Sequence, residues 1–259
     1  MQSISIATWN VNGIRARLER VTEWLLRNPV DLLCVQELKA QNEQFPENAF
    51  RSIGYEASVY GQKSFNGVAL IHKLDVSGIT CGGPKGFHDA RLIGGNIENI
   101  RVYSAYFPNG QDVGTDKYEH KLKWMAALRD MLEDEIQVHP NLVLAGDINV
   151  APEPKDTYDP SKWEGGIICS DKERHALANI REVGLHDTFR TLHPDETEFT
   201  WWDYRAGSFY KNHGLRIDHV YVSTPLLPTV SSIRVDRSAR SAPQPSDHAP
   251  VVIVLKLNR

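Results

Sequence analysis

"NLVLAGDINVAP", residues 141–152, starts as an ordinary buried strand and ends as something else. Leu142, Val143, Leu144 and Ala145 form the short apolar run expected of a strand covered on both faces. Gly146 interrupts the run, Asp147 and Asn149 follow two apart, and Pro152 stops it. Side chains alternate along a strand, so a spacing of two would aim both polar groups at one side. Two readings stay open at this point. Asp and Asn after a strand commonly bond their own backbone in a turn, or the pair faces something that needs an acid and an amide.

The same transition recurs along the chain. "SISIATWNV" runs into Asn10-Val11-Asn12-Gly13, "VDLLCVQEL" ends on Gln36-Glu37, and "IRVYSAYFP" ends on Tyr106 and leads to Asn109. "GLRIDHVYVS" reads as a strand with Asp218 in its middle, and Ser246-Asp247-His248 precedes the last strand, "APVVIVLKL". Taken singly, each has a plain explanation: a turn residue, a packed tyrosine or a surface histidine. A mid-strand carboxylate is harder to dismiss, because it needs a strong partner once buried. A histidine is the obvious one, and the carboxylate would fix its tautomer and favour the protonated ring. The remaining donors, Glu37, Asp247 and the amides of Asn10 and Asn12, are hard oxygens that suit Mg²⁺ or Mn²⁺. No Gly-x-Ser-x-Gly nucleophile motif is present.

Around these strands, "RLERVTEWLLRN" and "KERHALANIREVG" carry helical spacing, the latter closed by Gly184. The longest helix is expected over residues 116–139, with Tyr118, Leu122, Met125, Leu132 and Ile136 on one stripe. "NGVALIHK", "ARLIGGNIE", "TEFTWWDY" and "TVSSIRVDR" read as further strands, and residues 150–171 and 236–248 as loops. Strands outnumber helices and often adjoin without one between, which predicts a single α/β or α+β domain over 1–259 with partly antiparallel sheets. A chain of 259 residues with 41% hydrophobic content can bury a large core. The net charge of −4 tells against coating nucleic acid by bulk charge but leaves room for a local basic rim. Three scattered cysteines, no secretory leader and no stretch of membrane-spanning length point to a reducing, cytoplasmic setting.

The ordered set "ATWNVNGIRARL", "LLCVQELKA", "GQKSFNGVALIHK", "YSAYFPNGQ", "LAGDINVAP", "FTWWDYRAGSF", "GLRIDHVYVS" and "PSDHAPV" resembles the exonuclease III-type apurinic/apyrimidinic (AP) endonucleases of the endonuclease/exonuclease/phosphatase superfamily. That resemblance implies a DNase I-like four-layered αββα sandwich: two mixed, largely antiparallel sheets face to face with helices outside. It implies Mg²⁺-dependent incision of double-stranded DNA 5′ to an abasic site, leaving a 3′-hydroxyl, with 3′ end-cleaning or 3′–5′ exonuclease action. It further implies a monomer that works on the nucleoid's DNA. In this sequence Glu37 would be the main metal carboxylate, with Asn10 and Asp247 beside it and Asp147, Asn149 and His248 in the wider ligand set. Asp147 would orient and deprotonate the attacking water. Asn149 would hold that water or a phosphate oxygen, and His248, held by Asp218, would donate to a non-bridging oxygen. Tyr106 would contact the phosphate. Arg15, Arg17, Lys63, Asn66, Arg91 and Asn109 would grip the DNA, and Trp201, Leu215 and Ile217 would wall the pocket for a flipped, base-free sugar. Two rivals remain: the same machinery turned on inositol phosphates or phospholipids, and a binding module that has kept only the fold.

Overall fold

The apolar residues of 141–152 point two ways in the computed structural model, which describes residues 2–257. Val143 and Ala145 pack with Ile4, Ile6, Leu32, Cys34, Val68, Leu70, Ile93, Val102 and Val220 in a core between two sheets. Leu142 and Leu144 face the other way, against Trp124, Met125, Leu128 and Leu177 on helices. A third cluster, in which Ala7, Trp9, Leu33 and Val35 meet Val21, Trp24 and Leu25, covers the opposite outer face. Helix, sheet, sheet and helix therefore stack in four layers, as the resemblance implies.

One sheet collects β1 (Gln2–Asn10), β2 (Leu32–Gln36), β3 (Glu56–Tyr60), β4 (Val68–His72) and, from the end of the chain, β11 (Val230–Val235) and β12 (Val251–Leu257). Its order is β11-β12-β1-β2-β4-β3. The other collects β5 (Val76–Cys81), β6 (Leu92–Ile97), β7 (Ile100–Tyr106), β8 (Leu142–Asp147), β9 (Leu185–Asp187) and β10 (Asp218–Ser223), in the order β5-β6-β7-β8-β10-β9. Each sheet has one parallel pair at its centre, β1 with β2 and β7 with β8, and antiparallel pairs outside it. A parallel pair needs a crossover, supplied by α1 (Leu18–Arg27) and α3 (Asp116–Val138). Short α2 (Glu47–Arg51), α4 (Pro160–Trp163) and α6 (Thr188–Leu192) lie in the connections, and α5 (Asp171–Glu182) packs beside α3. Thr115 caps α3 by accepting from the Tyr118 amide, and Ser170 with Glu173 forms a reciprocal cap on α5.

Four expectations need correction. Residues 197–204 are not a strand: Trp201 makes single bridges to Leu215 and to His248, and the segment bends between two partners. Asp218 begins β10 instead of sitting inside it, because the residues before it pair elsewhere: Leu215 with Trp201, and Gly214 and Arg216 with Tyr158 and Asp156. Alternation does not carry Asn149 to its place, since β8 ends at Asp147 and Asn149 adopts φ +52. On α3 the row that reaches the core is Tyr118, Lys121, Trp124, Met125, Leu128 and Leu132, while Leu122 and Ile136 stay half-buried.

Candidate active site at the strand ends

The four parallel strands all end at one edge of the sandwich. Asn10 ends β1, Glu37 follows β2, Tyr106 ends β7 and Asp147 ends β8, with Asn10 opposite Gln36 and Tyr106 opposite Asp147 in register. The antiparallel neighbours start where these end, so Asp218 stands opposite Asp147, and His248 lies just before β12. Gly146 allows the approach: a Cβ there would lie 1.9 Å from the Ala105 carbonyl oxygen. Below the rim, Gln36 Nε2 donates to Ser104 Oγ at 3.0 Å and joins the two sheets through a buried polar contact.

One hydrogen-bonded chain links the acidic and amide groups. Asn10 Nδ2 donates to Glu37 Oε1 at 3.0 Å and to Asp147 Oδ2 at 2.9 Å. Tyr106 Oη donates to the same Glu37 oxygen at 2.8 Å. Asp147 Oδ1 accepts the Asn149 amide at 3.1 Å, so the aspartate closes its own turn and faces the cleft with its other oxygen. The turn reading of the opening stretch therefore holds for Asp147. Asn149 Oδ1 accepts from Asn109 Nδ2 at 3.1 Å, and Asn149 Nδ2 donates to the Phe107 carbonyl at 3.1 Å. His248 Nδ1 meets Asp218 Oδ2 at 2.8 Å, which leaves Nε2 facing Asp147 Oδ2 at 3.9 Å. Thr200 Oγ1 accepts the amides of Ile217 and Asp218, both at 3.0 Å, and so fixes the start of β10.

Burial sharpens the charges. Burial pushes the Asp147 carboxyl up, against the pull of His248. The buried His248 ring would by itself titrate low, but the carboxylates of Asp218 and Asp147 raise it to about 10, so it carries a proton at neutral pH. For Glu37, burial is outweighed by the Asn10 hydrogen bond and by Lys39, and its carboxyl is held below the usual range. Tyr106 is pushed well above the usual phenol value by burial and by the Glu37 and Asp147 charges, which keeps its proton in place.

The comparisons fit this geometry. Residues 7–248 match the endonuclease/exonuclease/phosphatase family profile. The chain belongs to that family. Exodeoxyribonuclease III of Haemophilus influenzae is 33% identical over 258 residues, covering 94% of this chain and 97% of that protein. Two solved structures superpose closely. A Neisseria 3′ phosphatase bound to a product DNA hairpin has TM-score 0.96, 38% identity and coverage of 98% of this chain and 100% of its own. An AP endonuclease from Archaeoglobus fulgidus has TM-score 0.95, 37% identity and the same coverage.

The family depends on a divalent metal, and the donors here suit one. Glu37, Asp147 and Asp247 offer carboxylate oxygens, the hard donors that Mg²⁺ and Mn²⁺ take, whereas Asn10 turns its amide nitrogen to Glu37 and Asp147 and its oxygen to the Asn12 amide at 3.0 Å, unlike the ligand oxygen expected of it. A positive charge is already accommodated there, since Lys39 Nζ lies 2.9 Å from Glu37 Oε2 and also bonds Asn12 Oδ1. Asp247 is oriented by Asn12 Nδ2 at 2.9 Å and Trp201 Nε1 at 3.0 Å. The Asp147, Asp218 and His248 ligand atoms also lie within 4.8 Å of one another; His248 Nδ1 is taken by Asp218 Oδ2, while the buried Asp218 Oδ1 has no hydrogen-bond partner among the described residues.

The residues that the resemblance would set against DNA lie in varied surroundings. Arg15 and Lys63 are exposed, while Arg17 bonds the Asn12 carbonyl at 2.7 Å and the Tyr204 hydroxyl at 3.3 Å. Arg91 lies over the Tyr106 ring, 4.7 Å from its centroid. Asn66 is buried and turned inward, its amide on Gln62 Oε1 at 3.0 Å. Trp201, Leu215 and Ile217 meet in one apolar cluster that also takes in Trp163, Ile167, Ile168 and Cys169. Between Leu215 and Ile217, Arg216 points away into a buried network with Asp156 at 2.7 Å and Asp187 at 2.9 Å. Lys39, Lys121, Thr200 and Arg216 were all missing from the sequence reading. The alternation Leu-Arg-Ile is the one signal that could have exposed Arg216.

Proposed function

We propose that this chain is a divalent-metal-dependent DNA-repair nuclease. It hydrolyses the phosphodiester 5′ to an abasic site and also trims blocked 3′ ends. The reading rests on one observation above all: Glu37, Tyr106, Asp147 and the His248–Asp218 pair converge at a single rim, although they come from both sheets. Asp147 orients the attacking water and takes its proton, while Asn149 holds that water or a phosphate oxygen. The protonated His248, fixed by Asp218, donates to a non-bridging oxygen and stabilises the charge that grows there. Tyr106 keeps its proton and donates to the phosphate. The water oxygen bonds to phosphorus as the O3′–phosphorus bond breaks, and the released 3′ oxygen takes a proton from solvent, so the upstream strand ends in a 3′-hydroxyl.

Glu37 would be the main metal carboxylate, with Asn10 and Asp247 beside it and Asp147, Asn149 and His248 in the wider set. When bound, Mg²⁺, or Mn²⁺ in its place, neutralises phosphate charge as a Lewis acid. Arg15, Arg17, Lys63, Arg91 and Asn109 grip the backbone, and Asn66 shapes the loop that carries Lys63. Trp201, Leu215 and Ile217 wall an apolar pocket that admits a sugar without its base. The chain works as a single catalytic domain and a monomer, in the cytoplasm on chromosomal DNA.

A duplex with one tetrahydrofuran site tests the reading. Incision with Mg²⁺ and none with EDTA is the expected result, and no cut with Mg²⁺ present overturns it. A hairpin ending in a 3′-phosphate, run in parallel, measures the second activity, which the likeness to the Neisseria 3′ phosphatase supports.

A further inference from the structure

Lys121 lies in the middle of the core-facing row of α3, fully buried, where a helix of this kind would ordinarily place an apolar residue. Its ammonium has three acceptors among the described residues. It pairs with Glu173, also fully buried, and donates to the Asn149 carbonyl at 2.7 Å and the Asn109 carbonyl at 3.2 Å. Glu173 in turn accepts the Ile168 amide at 3.1 Å, the Ser170 amide at 3.1 Å and the Ser170 hydroxyl at 2.6 Å. Tyr118, one turn before Lys121, closes the circuit with its hydroxyl 2.7 Å from Ser170 Oγ. One ion pair therefore fastens three separate segments: 107–110, 148–151 and 167–170.

Two of those segments carry cleft amides, and the third lines the apolar cluster. Asn149 needs such support, because it sits at φ +52 with no strand ladder to hold it. Its side chain meets that of Asn109 at 3.1 Å, so the two backbones that Lys121 grips are also the two whose amides touch. Gly110, at φ +91, lets the lysine stem pass: a Cβ there would lie 3.1 Å from Lys121 Cδ and 2.9 Å from Ile167 Cδ1. A buried charge pair of this kind costs desolvation and is matched in stability by an apolar pair of similar volume. What an apolar pair cannot do is donate to two carbonyls at once.

We propose that Lys121 is a positioning residue of this active site, whose Glu173-paired ammonium sets the Asn149 and Asn109 amides and locks them to the 167–170 segment. The inference rests on the nuclease reading given above. It separates geometry from binding: Asn149 acts where the water and the phosphate oxygen move, so its misplacement acts on turnover more than on affinity. A shift of the order of 1 Å near the reacting atoms costs about 10²-fold in rate.

The test uses the full chain and steady-state incision of the tetrahydrofuran duplex with Mg²⁺. Three proteins are compared: wild type, Lys121→Met, and the double variant Lys121→Met/Glu173→Gln. The expected result is a kcat lower by about 10- to 100-fold in both variants, with KM within about 3-fold of wild type. The double variant leaves no charge buried alone, and although its glutamine can accept only one of the two backbone amides that Glu173 serves, it melts above Lys121→Met and carries the test if that single variant does not fold. A folded double variant with wild-type kcat overturns the proposal, and so does a loss confined to KM. Failure of the wild type itself to cut overturns the nuclease reading instead.

Discussion

Gly146→Ala changes no functional group and should still disable the protein. The added methyl would sit 1.9 Å from the Ala105 carbonyl oxygen, 2.8 Å from its carbonyl carbon and 3.0 Å from its nitrogen, all backbone atoms of β7. No side chain can swing aside, so β8 must move away from β7 by at least about 1 Å to restore normal contact. That movement occurs at the register pair Ala105–Gly146, one residue before Tyr106–Asp147. It also strains the bond by which the Phe107 amide donates to the Asp147 carbonyl at 2.9 Å. Overpacking a close-packed core costs about 1–3 kcal/mol, and a weakened backbone hydrogen bond adds about 1 kcal/mol. The expected loss is therefore about 2–4 kcal/mol, or roughly 5–15 °C in melting temperature for a chain of this size. At a temperature where the variant is folded, kcat should still fall by about 10²-fold, because Asp147 and Tyr106 no longer share their alignment. Urea unfolding and incision kinetics on the same preparations measure both. A variant within about 0.5 kcal/mol of wild type, with normal turnover, would refute the claim that this glycine sets the cleft.

Other expectations follow from the same geometry. Asp147→Asn should lower single-turnover incision by orders of magnitude yet leave binding of abasic DNA, read by fluorescence anisotropy, close to wild type. Asp218→Ala should cost less than His248→Ala in kcat, and a larger loss would give Asp218 a direct part in the chemistry. In Asp218→Asn the histidine loses its main carboxylate partner, so the basic limb of the pH–rate profile should move toward acid; an unmoved limb removes His248 from that limb. Because folding raises the His248 pKa to about 10, its stabilising contribution is complete below about pH 6.5 and fades as pH rises toward 10. Denaturation midpoints should accordingly drop between pH 7 and 10 by more in wild type than in His248→Gln. EDTA should abolish incision, with activity returning on addition of Mg²⁺ or Mn²⁺ but not Na⁺.

Most of the cleft was legible because its residues break a pattern. Glu37, Tyr106 and Asp147 stand where apolar runs turn polar, and strands of opposite sheets can only bring such ends together at a shared edge. The fold was less legible at its margins. β5 is almost wholly exposed, and β3 is exposed or half-buried throughout, so neither carries the apolar signature of a central strand. Residues 197–204 alternate like a strand but serve as a strap, with Trp201 bridged to Leu215 on one side and His248 on the other. Lys121 was hidden for the opposite reason. A lysine on a long helix is normally solvated, and only the distant Glu173, fifty-two positions on, explains its burial. Interactions of that separation leave no local trace in composition or period.

The seam between β1 and the stretch before β12 decides what holds the His248 backbone in place. Trp9 Nε1 donates to the His248 carbonyl at 3.0 Å, and Ser246 Oγ donates to the Asn10 carbonyl at 2.6 Å. The backbone that carries the His248 imidazole is thus stapled twice to β1, across separations of 239 and 236 positions. A substitution at Trp9 or Ser246, neither of which bears a charge, would therefore be felt first at His248.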